Sequence, residues 1–179
     1  MHQHIEELLP IHKDQLVALF RESFTAAEGE NEGLMLASLV SDLAEMIDKE
    51  TVSCFGTWQE EQLIGAVFVT QLSFDEDYRV QMLAPVAVAT PYQRQGVGQT
   101  IIQAAIDCLA ERKIDLLVTY GDPAYYSKTG FSPLSVTEVP APYHLSMPIG
   151  WQGQVLNRAV PPALTNPRSV PPFRQPELW

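Results

Sequence analysis

The most constraining feature of this sequence is an amphipathic helix that lies between two apolar strands. Residues 96–113 repeat apolar side chains at helical spacing, and residues 79–88 and 115–120 are each apolar enough to form a buried strand. A strand, a helix and a second strand in this order predict a right-handed crossover between parallel strands. The chain is therefore predicted to be an α/β protein with one parallel strand pair.

The segments before this crossover predict antiparallel structure. Hydrophobic periodicity predicts a short strand, two helices and the two strands of a hairpin, over residues 5–9, 13–27, 30–47, 51–58 and 63–72. Pro85 interrupts the next strand. Because proline cannot donate a hydrogen bond to a neighbouring strand, Pro85 marks a sheet edge, a bulge or a place where this strand leaves its neighbouring strand. The predicted fold is a mixed, mostly antiparallel sheet with one parallel βαβ crossover and helices on both faces.

The length of 179 residues fits one domain with a tail. We assign residues 1–148 to the domain and residues 149–179 to a proline-rich C-terminal tail. Ten of the fourteen prolines lie at or after Pro133, so residues 161–179 are expected to hold little regular structure. Because the tail also contains Trp151, Phe173, Leu178 and Trp179, we expect it to pack on the domain with partial order.

The sequence predicts a cytoplasmic protein without a metal. Its longest unbroken apolar run, residues 82–89, is far shorter than the roughly 20 residues that span a bilayer, and the N-terminus lacks the features of a signal peptide. Cys54 and Cys108 are expected to be buried reduced thiols. His2 and His4 show no metal-ligand spacing with the other histidines and cysteines, and a frayed terminus is expected there.

The net charge of -11 is concentrated in the first half of the chain. Residues 1–80 hold 4 Lys and Arg against 16 Asp and Glu, whereas residues 81–134 hold 4 of each. Such a surface repels phosphate backbones, so no nucleic-acid partner is expected, and it attracts cationic partners such as amines. The alternative is that the acidic residues only keep the protein in solution.

A glycine loop joins the strand before the crossover to its helix. The segment VAVATPYQRQGVG at residues 86–98 leads a buried strand into this loop and then into the helix. Backbone N–H groups from Gln95 to Gln99 are unpaired in the first helical turn and are backed by the helix dipole, so they suit a pyrophosphate. Gly96 and Gly98 leave no side chain to block its approach. A tight turn without a ligand is the simpler alternative.

This loop resembles the acetyl-CoA-binding motif of the GCN5-related N-acetyltransferases (GNAT), written Q/R-x-x-G-x-G/A, and Gln93, Gly96 and Gly98 occupy its fixed positions. The resemblance covers about residues 1–135. PAPYHLSMPIGW at residues 140–151 is similar to the YhbS-like branch of uncharacterised bacterial acetyltransferases. The resemblance implies acetyl-CoA as the acyl donor, held by Val86, Val88, Gln93, Arg94, Gln95, Gly96, Val97, Gly98 and Gln99.

A second motif, GDPAYYSKTGF at residues 121–131, follows the crossover. In the same family a short helix here ends in a tyrosine four residues before a Gly-Phe pair, and Tyr126, Gly130 and Phe131 match that spacing. The resemblance implies that Tyr126 is the general acid that protonates the departing CoA thiolate, and that Tyr125 packs. The alternative is that Tyr126 also only packs.

The resemblance also implies how the acyl group would be transferred. Strands splay near Pro85, the pantetheine arm lies along residues 86–88, and the Val88 N–H polarises the thioester carbonyl. The attacking amine must be neutral, so a base or a water chain removes its proton. No base is identified among the candidates, which are Glu28, Glu30, Glu32, Asp75, Glu76, Asp77, Asp115 and His144. His144 is expected to lie in a late strand. Asp122 is expected to cap the short helix.

Two functional classes remain open. The first is an acetyl-CoA-dependent N-acetyltransferase that acts on a primary amine of a small molecule or protein. The second is a binding or sensor module that keeps the CoA cleft without turnover. No membrane partner is expected. A free strand edge and the tail could each join two copies of the chain, so a homodimer stays open.

Overall fold

A computed structural model describes residues 4–159 and 163–179. Four helices are present in this part of the chain: α1 (Lys13–Glu28), α2 (Glu30–Glu45), α3 (Val97–Glu111) and α4 (Pro123–Tyr126). The strands are β1 (His4–Glu7), β2 (Val52–Gln59), β3 (Gln62–Ser73), β4 (Val80–Val88), β5 (Leu116–Tyr120), β6 (Ser132–Pro133), β7 (Trp151–Val155) and β8 (Arg168–Ser169). Every helix and strand predicted over residues 5–120 is found, with ends that differ by one or two residues.

The strands form one sheet in the order β1-β2-β3-β4-β5-β7-β6, and β8 pairs with β3. β4 and β5 are parallel, with Val80 opposite Leu116 and Met82 opposite Val118. β5 is antiparallel to β7 over five residue pairs. The predicted mixed sheet with one parallel βαβ crossover is therefore confirmed.

Backbone contacts divide the chain into two compact units, and β3 and β4 contribute residues to both. The first unit contains residues up to Val69 together with Pro85–Ala104. Its core joins α1 to the sheet, since Phe20 is fully buried and its ring lies 5.8 Å from that of Phe68. On Gly65, a Cβ would lie 2.6 Å from the Ile101 side chain. This close approach seats the first turns of α3 on β3.

The second unit contains Thr70–Ala84 and Ala105–Trp179. β7 lies beside β5 in its sheet, so residues 151–155 are a strand although the sequence assigned them to the tail. The C-terminal Trp179 is buried and its ring lies 6.2 Å from that of Trp151. The indole N–H of Trp179 donates to the Phe173 carbonyl at 3.0 Å. The domain boundary at residues 148 and 149 stays a prediction.

An ion pair fixes the segment that follows β7. Asp115 is almost fully buried, and its carboxylate accepts hydrogen bonds from the Arg158 side chain at 3.0 and 2.8 Å. The Arg79 backbone N–H donates to the same carboxylate at 2.9 Å. The Asp115 carboxylate therefore joins the start of β5 to the segment after β7.

Three sequence-based expectations are wrong in detail. His4 does not fray, because it lies in β1 opposite Trp58 on β2. Cys108 is only partly buried, whereas Cys54 is fully buried as expected. His144 lies in an exposed loop and not in a strand. His2 lies outside the described residues.

Residues 4–159 and 163–179 contain no helix that is long and apolar enough to cross a membrane. The same residues contain no group of three His, Cys, Asp or Glu side chains arranged to bind a metal ion.

Candidate active site

The glycine loop begins where β4 ends and closes at the first turn of α3. A short 3-10 turn at Thr90–Tyr92 follows β4, and α3 begins at Val97. Gly96 has a φ of +82°, a region that side-chain-bearing residues rarely adopt. Its carbonyl accepts hydrogen bonds from the Thr100 N–H at 3.0 Å and the Thr100 hydroxyl at 2.9 Å. The backbone conformation at position 96 therefore favours glycine over residues that carry a side chain.

The start of α3 has the geometry of an anion site. The first N–H groups of a helix have no partner within it, and those of Val97, Gly98 and Gln99 occupy these positions in α3. The dipole of this fifteen-residue helix adds partial positive charge at the same end. Arg94, which is exposed and also has a positive φ of 60°, adds a full charge to the preceding turn. The loop can therefore bind a phosphate or pyrophosphate.

Two glutamines predicted to bind the cofactor also brace the loop. The Gln93 side-chain amide donates to the Val88 carbonyl at 2.9 Å, and the Gln95 amide donates to the Pro91 carbonyl at 2.9 Å. Ser23 on α1 donates its hydroxyl to the same Val88 carbonyl at 3.2 Å. These bonds stabilise the path of the loop from β4 to α3.

Ser23 was not found by sequence reasoning. It lies on the buried face of α1 that Leu16, Leu19 and Phe20 define. The sequence did contain one indication of its role: Ser23 is a polar residue within the apolar pattern of α1, and a buried hydroxyl needs a hydrogen-bond partner.

The end of β4 carries the two valines predicted to contact the pantetheine arm. Val86 and Val88 are each half-buried, whereas Ala87 between them is buried. The Ala89 N–H donates to the Ile64 carbonyl at 2.8 Å, which anchors this end of β4 to β3. Val86 and Val88 therefore share one side of a fixed strand.

The parallel register ends earlier in β4 than the sequence suggested. The last registered pair is Met82 with Val118, three residues before Pro85. At the next position the Leu83 carbonyl accepts its hydrogen bond from the Thr119 side-chain hydroxyl, at 2.7 Å. A side-chain hydroxyl therefore bonds the Leu83 carbonyl at the point where the parallel backbone pairs of β4 and β5 end.

The residues of the second motif hold Tyr126 in a fixed position. Asp122 accepts a hydrogen bond from the Ala124 N–H at 2.9 Å and so caps α4, as predicted. Pro123 occupies the first turn, and Gly130 ends the following 3-10 turn with a φ of +95°. A Cβ on Gly121 would lie 2.6 Å from the Tyr126 ring, so the ring rests directly on this glycine.

Aromatic neighbours and burial define the chemistry of Tyr126. Its ring meets those of Tyr125 and Phe131 edge-on, with centroids 5.0 and 5.8 Å away. Burial raises the pKa of Tyr126 to about 12, with smaller contributions in the same direction from Tyr125 and Asp122, while a hydrogen bond with Thr119 lowers it. The phenol is therefore protonated at neutral pH and can act as a proton donor. Burial also raises the pKa of Tyr125.

Two of the carboxylates considered as bases, Asp75 and Glu76, bind residues of the C-terminal segment instead. Asp75 bonds Arg168 at 2.8 Å and also contacts Asn166, while Glu76 accepts from the Thr165 N–H at 2.8 Å and hydroxyl at 2.6 Å. These side-chain hydrogen bonds lower the pKa of both carboxyl groups.

The remaining candidate carboxylates lie either at the junction of α1 and α2 or close to Arg158. Glu28 and Glu30 lie exposed at the junction of α1 and α2, and Glu32 is half-buried in the first turn of α2. The Asp77 carbonyl accepts a hydrogen bond from Arg158 at 2.7 Å. Hydrogen bonding to Arg158, the largest contribution, lowers the pKa of Asp115. No base is identified among them.

The mixed sheet with one parallel crossover and the glycine loop between β4 and α3 are consistent with a GNAT domain. A family model described as an acetyltransferase (GNAT) domain matches residues 5–134. This match covers most of the chain, and the chain belongs to that family.

Two curated relatives from Escherichia coli strain K12 share this likeness. The chain is 36% identical to the uncharacterized N-acetyltransferase YhbS over 124 residues, which cover 69% of this chain and 70% of that protein. It is 30% identical to the uncharacterized N-acetyltransferase YjhQ over 128 residues, which cover 69% of this chain and 68% of that protein.

Solved structures show the same fold. The crystal structure of YhbS from Escherichia coli in complex with CoA matches with a TM-score of 0.75 and 26% identity, over 92% of this chain and 89% of that one. A GNAT family acetyltransferase from Brucella melitensis in complex with acetyl-CoA matches with a TM-score of 0.70 and 18% identity, over 96% and 98% of the two chains.

Proposed function

We propose that this protein transfers an acetyl group from acetyl-CoA to a primary amine of a small molecule or protein. The observation that carries the proposal is the loop from β4 to α3, where a positive-φ glycine precedes the unpaired N–H groups of a helix. Membership of the GNAT family and the CoA bound in the YhbS crystal structure support acetyl-CoA as the cosubstrate.

Each part of the loop has a proposed contact with the cosubstrate. The backbone N–H groups from Gln95 to Gln99 bind the diphosphate, and the Arg94 guanidinium adds charge attraction. The Gln93 brace keeps these N–H groups in place. Val86 and Val88 flank the pantetheine arm, and the Val88 N–H polarises the thioester carbonyl.

Tyr126 is the proposed general acid. The neutral amine attacks the acetyl carbonyl carbon, a C–N bond forms, the C–S bond breaks, and the thiolate takes the phenol proton. The amine proton leaves to solvent through water or an unassigned base, and solvent returns a proton to the phenolate. Support comes from the fixed position of Tyr126 and from burial, which raises its pKa to about 12 and keeps it protonated.

An assay of CoA release over a panel of amines tests this function. We expect release that depends on both acetyl-CoA and an amine, and a decrease of about 10²-fold or more for Tyr126→Phe. Tyr125→Phe is the matched control, since it removes the neighbouring hydroxyl and should keep most activity. Saturable CoA binding with no turnover on any amine would instead support the binding module. Equal activity of wild type and Tyr126→Phe would exclude Tyr126 as the acid.

A cytoplasmic location and a homodimer both stay predictions. Gel filtration over a range of protein concentrations would decide the second.

A further inference from the structure

We propose that Met147 and Ile149 contact an apolar group of the acceptor, so that the preferred substrate is a primary amine with an alkyl or aromatic substituent. Both residues lie in the loop that leads into β7, residues 143–150, which we call the acceptor loop. The inference rests on the proposed function, because it assigns the acceptor side of the site that contains Tyr126.

The acceptor loop is fixed by aromatic and hydrogen-bond contacts. The Trp179 ring lies 6.2 Å from the ring of Tyr143, where the loop begins, and 6.2 Å from the ring of Trp151, which follows the loop. Between these two points, the Tyr120 hydroxyl accepts a hydrogen bond from the Met147 N–H at 2.7 Å. The loop is therefore held at its base by Trp179 and at its middle by the last residue of β5.

Two large apolar side chains are exposed on this fixed loop. Met147 is 64% exposed and Ile149 is 70% exposed, whereas Leu145 in the same loop is buried. The backbone between the two exposed residues is also ordered, since the Gly150 N–H donates to the Met147 carbonyl at 2.8 Å. Neighbouring apolar side chains that stay exposed on an ordered backbone are typical of a surface that binds an apolar partner.

Two glycines join the acceptor loop to Tyr126. The Gly121 N–H donates to the Gly150 carbonyl at 3.0 Å, and a Cβ on Gly150 would lie 2.9 Å from the Gly121 carbonyl oxygen. A Cβ on Gly121 would lie 2.6 Å from the Tyr126 ring and 3.6 Å from the ring carbon that bears the hydroxyl. No side chain at these two positions separates the loop from the proposed acid, and Ile149 is the residue next to Gly150.

This placement defines how an acceptor would lie in the site. The amine reacts close to the Tyr126 hydroxyl, because the thiolate that it displaces takes the phenol proton. The rest of the acceptor then extends along the loop toward Ile149 and Met147. An alkyl group there leaves water for apolar contacts, which is favourable, whereas a hydroxyl there loses hydration without gaining a hydrogen bond from either side chain.

A series of linear alkylamines tests the preference in the wild-type protein. We expect kcat/KM for the amine to rise about threefold for each methylene added from propylamine to hexylamine. Aminopentanol, which has a hydroxyl where hexylamine has its terminal methyl, should lose most of this gain. A short peptide with an N-terminal leucine, tested beside the alkylamines, distinguishes a protein acceptor from a small molecule that carries the same apolar group.

The double variant Met147→Ser with Ile149→Ser should abolish the rise with chain length and leave KM for acetyl-CoA unchanged. Val155→Ser is the matched control, because Val155 is 48% exposed and lies at the far end of β7, opposite Leu116. This control should keep the rise. Turnover without any rise in the wild type, or an equal rise in the double variant, would overturn the inference and leave the proposed function intact.

Two further results have different meanings. No turnover on any amine would overturn the proposed function, and the inference with it. A smaller species of the double variant in gel filtration, with the rise unchanged, would show that Met147 and Ile149 join two copies of the chain, and would overturn the inference alone.

Discussion

The side-chain amide of Gln93 donates a 2.9 Å hydrogen bond to the carbonyl of Val88 and so braces the loop between β4 and α3. The two residues are five positions apart, and the Ser23 hydroxyl approaches the same carbonyl from α1. The first fixed position of the acetyl-CoA-binding motif is thus occupied by a side chain that hydrogen-bonds the loop backbone. This arrangement makes the loop rigid before any ligand arrives, which lowers the entropic cost of binding.

Replacing Gln93 by Ala should weaken CoA binding about tenfold, because the backbone N–H groups lose their preorganised path. Isothermal titration with CoA measures the change. Gln175→Ala is the matched control, since the Gln175 amide also donates to a nearby backbone carbonyl, that of Pro172 at 2.8 Å. Equal affinity of the two variants would show that the Gln93 brace does not organise the site.

Gly96→Ala should lower both stability and CoA affinity. Its φ of +82° is unfavourable for alanine, at a cost of about 1–2 kcal/mol in the free energy of unfolding. Gly29→Ala is a close control, because Gly29 has a φ of +101° and open space around a Cβ, as Gly96 does. Denaturant unfolding should show a loss of stability for both variants. Weaker CoA binding should be confined to Gly96→Ala, and a matching loss in Gly29→Ala would contradict the site.

The acetyl-transfer rate should rise with pH across the range in which Tyr126 stays protonated. Burial raises the pKa of this phenol to about 12, so its proton is retained up to about pH 10. An alkylamine acceptor with a pKa of about 10.4 supplies about tenfold more neutral amine for each added pH unit below that value. Initial rates at subsaturating amine test this. A fall between about pH 8 and pH 10 that Tyr126→Phe abolishes would contradict the assignment.

Asp115→Asn should lower the free energy of unfolding by about 2 kcal/mol at neutral pH, because it weakens a buried carboxylate network. Hydrogen bonding to Arg158 lowers the folded-state pKa of Asp115, so its stabilisation is present above the unfolded value of about 3.9. It is lost as pH falls through the lower folded-state value. Acid titration of stability should therefore be shallower in Asp115→Asn. Identical acid profiles would refute this role.

Much of the fold could be predicted from local patterns. The α3 pattern and the strands around it follow from apolar periodicity, and the loop follows from the glycines between them. β7 was missed because WQGQV has little apolar alternation, and its pairing with β5 supplies the order that its sequence lacks. The strand propensity of a segment is weak evidence for a strand when pairing with a neighbouring strand determines whether the segment is extended.

The polar contacts of the candidate site were less predictable. Ser23 meets Val88 across 65 positions of sequence, and Thr119 meets Leu83 across 36. Asp115, considered as a base, meets Arg158 across 43 positions. Such contacts depend on how the elements pack, and no motif spacing encodes them. Sequence reasoning could identify the residue types that suit the chemistry but not their protein partners.

Calorimetric titration of CoA into the wild-type protein tests the central claim most directly. We expect saturable binding of one CoA per chain, and inorganic pyrophosphate should compete with CoA at the start of α3. Absence of any saturable heat, with binding also undetectable by equilibrium dialysis, would contradict the proposed acetyl-CoA site and the transfer reaction built on it.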